Sequence, residues 1–179
     1  MIAYLDDILI FSDTFEEHIN HVMKILEQFE QAKLQLKLKK CEFHVQETEF
    51  LGHWITTEGI QMEKMKIQAI LDWPKLQNTK EVQQFIRLIN YYCKFLKGYS
   101  IIMGPLFKLL KKDCKFEWGQ EQQEAFRKAK EAVTEEPVLA QFNSEKETTI
   151  KTDTSDYAIG MSMTQPGSDR KPRPVAFHS

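Results

Sequence analysis

The chain has 179 residues, 42% hydrophobic and 28% charged, with a formal net charge of -2. That length suits one ordinary domain or two small ones with a real core, and the composition excludes collagen-like, repetitive and low-complexity classes. No apolar run approaches the roughly 20 residues that a helical bilayer crossing needs, and no basic-then-apolar leader precedes a small-residue cleavage site.

Cys41, Cys93 and Cys114 are odd in number, far apart and without metal-ligand spacing. Reduced thiols in an intracellular protein are therefore expected. The five histidines (His18, His21, His44, His53 and His178) show no ligand spacing with any cysteine, so no zinc site is expected. The charge is unevenly spread. Residues 61–112 carry 10 Lys or Arg against 3 Asp or Glu, and the remainder is acidic. Such a basic middle fits a polyanion-binding segment, and equally a solvated helical face rich in lysine.

Residues 1–11 are apolar except for Asp6 and Asp7. Two apolar runs around an Asp6-Asp7 turn predict a tight β-hairpin, in which adjacent carboxylates repel unless a cation lies beside them. Residues 12–33 predict a helix: Thr14 and Glu17 have capping-box spacing, and Phe15, Ile19, Val22, Met23, Leu26 and Phe29 recur at helical intervals. Leu34, Leu36 and Leu38 then alternate with polar residues, which predicts that a strand begins. Further strands are expected around residues 41–43 and 49–56, closing at a Glu58-Gly59 turn.

From residue 63 to 112 the pattern is helical in short lengths. A first helix over 65–73 ends at Pro74. A second is capped by Asn78 with Glu81, carries Val82, Phe85, Ile86, Ile89 and Tyr92, and ends at Gly98; residues 105–110 suit a third. Residues 120–134 form an amphipathic helix with Ala125, Phe126, Ala129 and Val133 on one face. Strands are expected at 148–154 and 158–164, joined by a turn at Asp156-Tyr157, with a third beginning near Arg173. Residues 165–174 read as the flexible loop.

Several blocks in order carry a family resemblance. Ala3-Tyr4-Leu5-Asp6-Asp7-Ile8-Leu9-Ile10-Phe11-Ser12 resembles the aspartate-pair hairpin in the palm of gypsy-type LTR retrotransposon reverse transcriptases. Lys40-Cys41-Glu42-Phe43 and Phe50-Leu51-Gly52-His53 are similar to the segments that follow there, the second resembling the hairpin that grips the primer end. Asp72-Trp73-Pro74, Leu88-Ile89-Asn90-Tyr91-Tyr92 and Phe95 resemble the thumb. Phe116-Glu117-Trp118, Glu124-Ala125-Phe126 and Pro137-Val138-Leu139 look like the connecting region. Thr152-Asp153-Thr154-Ser155-Asp156-Tyr157-Ala158-Ile159-Gly160 resembles the first hairpin of the attached ribonuclease H, with Thr154 where the family usually has Ala.

The resemblance implies an α+β fold: palm β-hairpins with a helix (1–60), a helical thumb (61–112), a connection (113–145) and the first strands of a ribonuclease H-like α/β domain (146–179). It implies RNA-directed DNA polymerase and ribonuclease H activity in the parent pol polyprotein, with Mg²⁺ (or Mn²⁺) as cofactor. Asp6 is then the firm metal ligand of the hairpin and Asp7 the weaker one, since two-metal nucleotidyl transfer needs converging hard oxygen ligands. Asp153 is the first of four ribonuclease H acids. Tyr4, Phe50, Leu51, Gly52, His53, Lys80, Arg87, Lys94 and Lys97 are the expected nucleic-acid contacts. RNA–DNA and DNA duplexes are the expected partners, together with deoxynucleoside triphosphates in the parent enzyme, other parts of the polyprotein, and no membrane. The expected location is a cytoplasmic particle or the nucleus. A further palm aspartate, the fingers and three ribonuclease H acids are expected outside residues 1–179, so this stretch alone is expected to be inactive. The alternative is a truncated or co-opted protein that binds nucleic acid without catalysis.

Overall fold

The computed structural model describes residues 1–112, 114–135, 137–154 and 158–179. The α+β class holds, and the chain divides into two compact units, Met1–Leu51 and Gly52–Ser179.

In the first unit, strands β1 (Ile2–Tyr4) and β2 (Asp7–Leu9) pair antiparallel, with Tyr4 opposite Asp7. The two-residue turn is therefore Leu5-Asp6 rather than Asp6-Asp7. Asp7 already belongs to the ladder, and Leu5 takes the left-handed conformation at φ 50°. Helix α1 (Phe15–Gln31) starts where Thr14 Oγ1 accepts from the Glu17 N–H at 3.3 Å, with Glu16 and Glu17 complementing the helix dipole. It ends as a Schellman turn: Lys33, at φ 57°, donates to Glu30 O, and Leu34 N–H donates to Phe29 O.

The strands expected from residues 34 and 41 do not form. A 3₁₀ turn occupies Leu38–Lys40, and the next strand is β3 (Thr48–Phe50). Alternation is a local signal, whereas a strand also needs a ladder partner, and none of the described residues supplies one there. No residue of Met1–Leu51 is buried.

The second unit opens with strands β4 (His53–Thr56) and β5 (Gly59–Met62), paired antiparallel across a Thr57-Glu58 turn. Thr56 Oγ1 accepts from both the Glu58 and Gly59 N–H groups at 3.2 Å, which pins that turn. Strand β5 was not expected from the sequence. Helix α2 (Lys64–Leu71) stops before Pro74, as the proline requires. Helix α3 (Thr79–Tyr91) is capped by Asn78 Oδ1, which accepts from the Glu81 N–H at 3.0 Å. Glu81 in turn accepts from the Gln77 N–H at 2.7 Å.

Gly98 does not end α3. That helix closes through a 3₁₀ turn at Cys93–Phe95, and Gly98, at φ 70°, heads helix α4 (Tyr99–Lys108), its carbonyl accepting from Ile101 and Ile102. Pro105 lies inside α4 instead of starting a helix. The hydrogen bond it removes is outweighed by burial of Met103 and Leu106 around it.

Helix α5 (Gln120–Thr134) has the expected bounds and buries the four predicted residues Ala125, Phe126, Ala129 and Val133. The core is made by α2–α5 with Met62 and Leu139, and Phe85 sits at its centre, its ring 4.8 Å from Phe126 and 5.9 Å from Trp73. Lys130 Nζ reaches across it, donating to Leu71 O at 2.7 Å and Trp73 O at 2.5 Å, where α2 runs out of backbone donors.

Strands β6 (Thr149–Thr154), β7 (Ile159–Pro166) and β8 (Pro172–His178) form an antiparallel sheet in that order. The expected turn at Asp156-Tyr157 lies outside the described residues. Residues 165–174 are not a flexible loop. Gln165 is 3% exposed and the turn tightens to 167–171, with Gly167 N–H donating to Lys171 O at 2.8 Å.

Candidate nucleic-acid and metal site

Asp6 and Asp7 stand next to one another at the tip of the β1–β2 hairpin, both exposed, with Leu5 beside them 89% exposed. A bulky residue at positive φ is uncommon, and here it swings the chain so that Asp6 caps the turn while Asp7 starts the returning strand. Tyr4, the last residue of β1, sits opposite Asp7 and is exposed too. Two neighbouring carboxylates offer the hard oxygen chemistry of Mg²⁺. They are a partial donor set: among the described residues no three His, Cys, Asp or Glu side chains converge.

Asp153 lies in the second unit, near the end of β6, in a strand whose residues are all exposed. Its cross-strand partner is Gly160, which has no side chain to cover the carboxylate.

Phe50 ends β3, and Leu51 at φ 50° closes the first unit. Gly52, at φ 67°, opens the second. Gly52 is favoured by that positive dihedral angle, while the space around it is that of ordinary contact. Tyr92 Oη donates to its carbonyl at 3.0 Å, and an added Cβ would come 3.4 Å from that same hydroxyl and 3.7 Å from the Tyr91 ring. His53, the first residue of β4, is half-buried in an aromatic group, its ring 5.4 Å from Tyr91, 5.8 Å from Tyr92 and 5.8 Å from Phe95. Of the three aromatics at the end of α3 and just beyond it, Tyr92 and Phe95 are core, while Tyr91 is 53% exposed.

The four basic residues singled out by sequence separate into two kinds. Lys80 and Arg87 lie on one exposed stripe of α3. Gln84, not expected from the sequence, and Tyr91, part of the thumb-like block, complete it at i+4 and i+11, and at about 100° per residue all four fall within an arc of about 60°. The signal was in plain view as the complement of the buried Val82-Phe85-Ile86-Ile89 stripe. Lys94 belongs to the 3₁₀ turn instead, half-buried, with Nζ 5.2 Å from the centre of the Phe95 ring. Burial lowers its pKa, opposed by the nearby Cys93. Lys97 is exposed beyond it.

Residues 1–55 match the family model of reverse transcriptase (RNA-dependent DNA polymerase), and residues 118–179 match that of the RNase H-like domain found in reverse transcriptase. Over its whole length the chain is 36% identical to the transposon Tf2-3 and Tf2-4 polyproteins of Schizosaccharomyces pombe, and 35% identical to the Tf2-7 polyprotein. It spans 13% of the length of each.

The fold is similar to that of foamy viral protease-reverse transcriptase. The TM-score is 0.80 against the complex with double-stranded DNA and 0.77 against the complex with an RNA/DNA hybrid, both at 22% identity. Those alignments cover 94% and 93% of this chain, and 30% and 23% of the viral chains. Among the described residues no helix is long and apolar enough to cross a membrane. In sequence and fold this chain corresponds to the reverse transcriptase and RNase H-like segment of a retrotransposon polyprotein.

Proposed function

We propose that the chain contributes part of the metal-binding palm, the duplex-holding thumb and the entry to the ribonuclease H domain of a gypsy-type RNA-directed DNA polymerase. The partition is palm over 1–60, thumb over 61–112, connection over 113–145 and ribonuclease H-like domain from 146. The observation that carries this reading is the α3 stripe of Lys80, Gln84, Arg87 and Tyr91, because the aromatic end of the stripe adjoins Gly52 and His53. Cations along a helix face suit a phosphate backbone, and an exposed tyrosine suits a sugar or base edge. Phosphate contacts of this kind fix register and read no sequence.

Asp6 and Asp7 would hold Mg²⁺ (or Mn²⁺) with further carboxylates of the whole enzyme, and Asp153 would do the same at the ribonuclease H site. A bound divalent ion supplies Lewis-acid activation of hydroxyl or water and neutralises phosphate charge. The residues present here set where those oxygens stand. The Leu5 turn brings Asp6 to the hairpin tip, and the Asp153–Gly160 pairing leaves the second site open. The whole enzyme's substrates are then deoxynucleoside triphosphates and a template-primer, as RNA–DNA or DNA duplex.

A fluorescence-anisotropy titration of the chain with RNA–DNA and DNA duplexes tests the reading. With about three or four phosphates neutralised, log affinity should fall against log salt with a slope of about -3. Lys80→Gln with Arg87→Gln should flatten the slope and weaken all duplexes alike, whereas binding indifferent to salt would remove the thumb assignment. That no three ligating side chains converge among the described residues favours a second reading, in which this chain binds duplex without chemistry. Primer extension with Mg²⁺ that is lost in Asp6→Asn would overturn the second reading.

A further inference from the structure

Leu139 lies between two hairpins of the second unit that the chain order keeps far apart. Toward β5, its N–H donates to Ile60 O at 2.9 Å, and its carbonyl accepts from the Ile60 N–H at 2.7 Å. Toward β8, the next residue, Ala140, donates to Pro174 O at 2.7 Å. The Leu139 side chain is buried in the same core as Met62 and Val133, so the strap is fixed by packing as well as by backbone bonds.

The seam is reinforced on both flanks. Arg173 of β8 pairs with Glu58 of the β4–β5 turn at 3.6 Å. Beyond the strap, Gln165 of β7 accepts from Asn143 N–H at 2.9 Å and donates to Asn143 O at 2.7 Å and Thr148 Oγ1 at 2.9 Å, which leads the chain into β6 without slack. Gly59 makes this approach possible. Its φ is 144°, and a Cβ there would collide with the Leu139 carbonyl oxygen and come 3.1 Å from Val138 Cγ1. No side chain except hydrogen fits between β5 and the strap.

We propose that residues 138–140 act as a coupler that positions the β4–β5 hairpin on the β6–β8 sheet, with Gly59 and Leu139 as its positioning residues. The hairpin starts at Gly52 and His53 and the sheet carries Asp153. A bound duplex is thereby held in one register between its contact at the turn and the carboxylate of the ribonuclease H-like sheet. What is being registered rests on the proposed function; the coupling itself is a property of the free chain.

Native-state hydrogen exchange in low urea, on the 179-residue chain without nucleic acid, measures it. Elements that open together share one opening free energy and one urea dependence. The amides of Ile60, Leu139, Ala140 and β8 should share both. A smaller urea dependence for Ile60 than for β8 would show two independent bodies and overturn the coupler. This wild-type measurement decides the matter even where a variant fails to fold.

In Gly59→Ala, exchange at Ile60, Leu139 and Ala140 should accelerate at least about tenfold while α3 and α5 amides keep their protection, which separates local opening from global loss. Equal acceleration throughout α3 and α5 would reduce the strap to general stability and overturn its positioning role. Loss of duplex binding with the shared opening intact would remove the proposed function and leave the coupler standing.

Discussion

Helices α1 and α3 both start from a side-chain cap on an N–H of the first turn, and both carry an apolar stripe at helical spacing. Helix α3 buries Val82, Phe85, Ile86 and Ile89, whereas α1 leaves Phe15 65% and Met23 51% exposed and buries nothing. Periodicity thus identifies a helix and its face, but not whether the chain in hand supplies the surface that covers the face. The core belongs to the second unit alone.

The comparison breaks most readily at its largest predicted effect. Phe85→Ala should cost about 3–5 kcal/mol, as expected for a fully buried ring packed on Phe126 and Trp73. Phe15→Ala in α1 should cost less than about 1 kcal/mol, since its ring is 65% exposed and little of its area leaves water. Equal shifts of the urea midpoint in the two variants would mean that α1 has a core.

Alkali sharpens the same contrast. Burial pushes the Tyr99 phenol up to about 12, helped by the neighbouring Cys93. The folded state therefore disfavours the phenolate, while the unfolded phenol ionises near 10. The stabilisation is fully present below about pH 10 and is lost as pH rises from about 10 to 12, a change of up to about 2–3 kcal/mol. Tyr99→Phe should remove that alkaline loss. Its hydroxyl has no hydrogen-bond partner among the described residues, so the variant should also gain about 1 kcal/mol at neutral pH. An unchanged alkaline transition in thermal melts would show that Tyr99 does not govern it.

Lys130 ties α5 to the end of α2, and Lys130→Met strands two carbonyls. A loss of about 1–3 kcal/mol is expected in chemical denaturation, with Lys130→Arg recovering most of it. A methionine variant as stable as the parent would mean that water satisfies both carbonyls. The smallest effect is at the caps. Asn78→Ala should cost about 1 kcal/mol in the main transition, whereas Thr14→Ala should lower helicity by circular dichroism and leave that transition in place.

What the sequence disclosed and what it withheld divide along the same physical line. Capping residues and buried stripes were legible, because Thr14, Asn78, and Ala125 with Phe126 act within a few residues of themselves. The 120–134 helix was read to the residue. Strand β5 and the missing strand after Lys33 were not legible, because a ladder depends on partners remote in sequence. Gly98 was read as the end of α3 because a glycine marks a helix boundary without saying which helix it bounds. In the candidate site, the hairpin around Asp6 and Asp7 forms as its motif implied. The turn itself lay one residue earlier than the charges suggested, since Leu5 accepts a left-handed conformation that leucine normally avoids. Tyr91 stood in the thumb-like block with Tyr92 and Phe95, and adjacent aromatics give no hint that Tyr91 faces out while the other two are core.

The hydrogen bond from Tyr92 to the Gly52 carbonyl also sets a clock. The turn leaves the ribosome forty residues before the hydroxyl that clamps it, and at about 5–20 residues per second that interval is about 2–8 s. Hairpins close in about 1–10 μs, so β4 and β5 can meet and part many thousands of times before α3 arrives. During synthesis the Gly52 end of β4 is then a sampled conformation. It becomes a fixed one only when the end of α3 folds over it, so the Gly52 carbonyl lacks its Tyr92 hydrogen bond until residue 92 has been added.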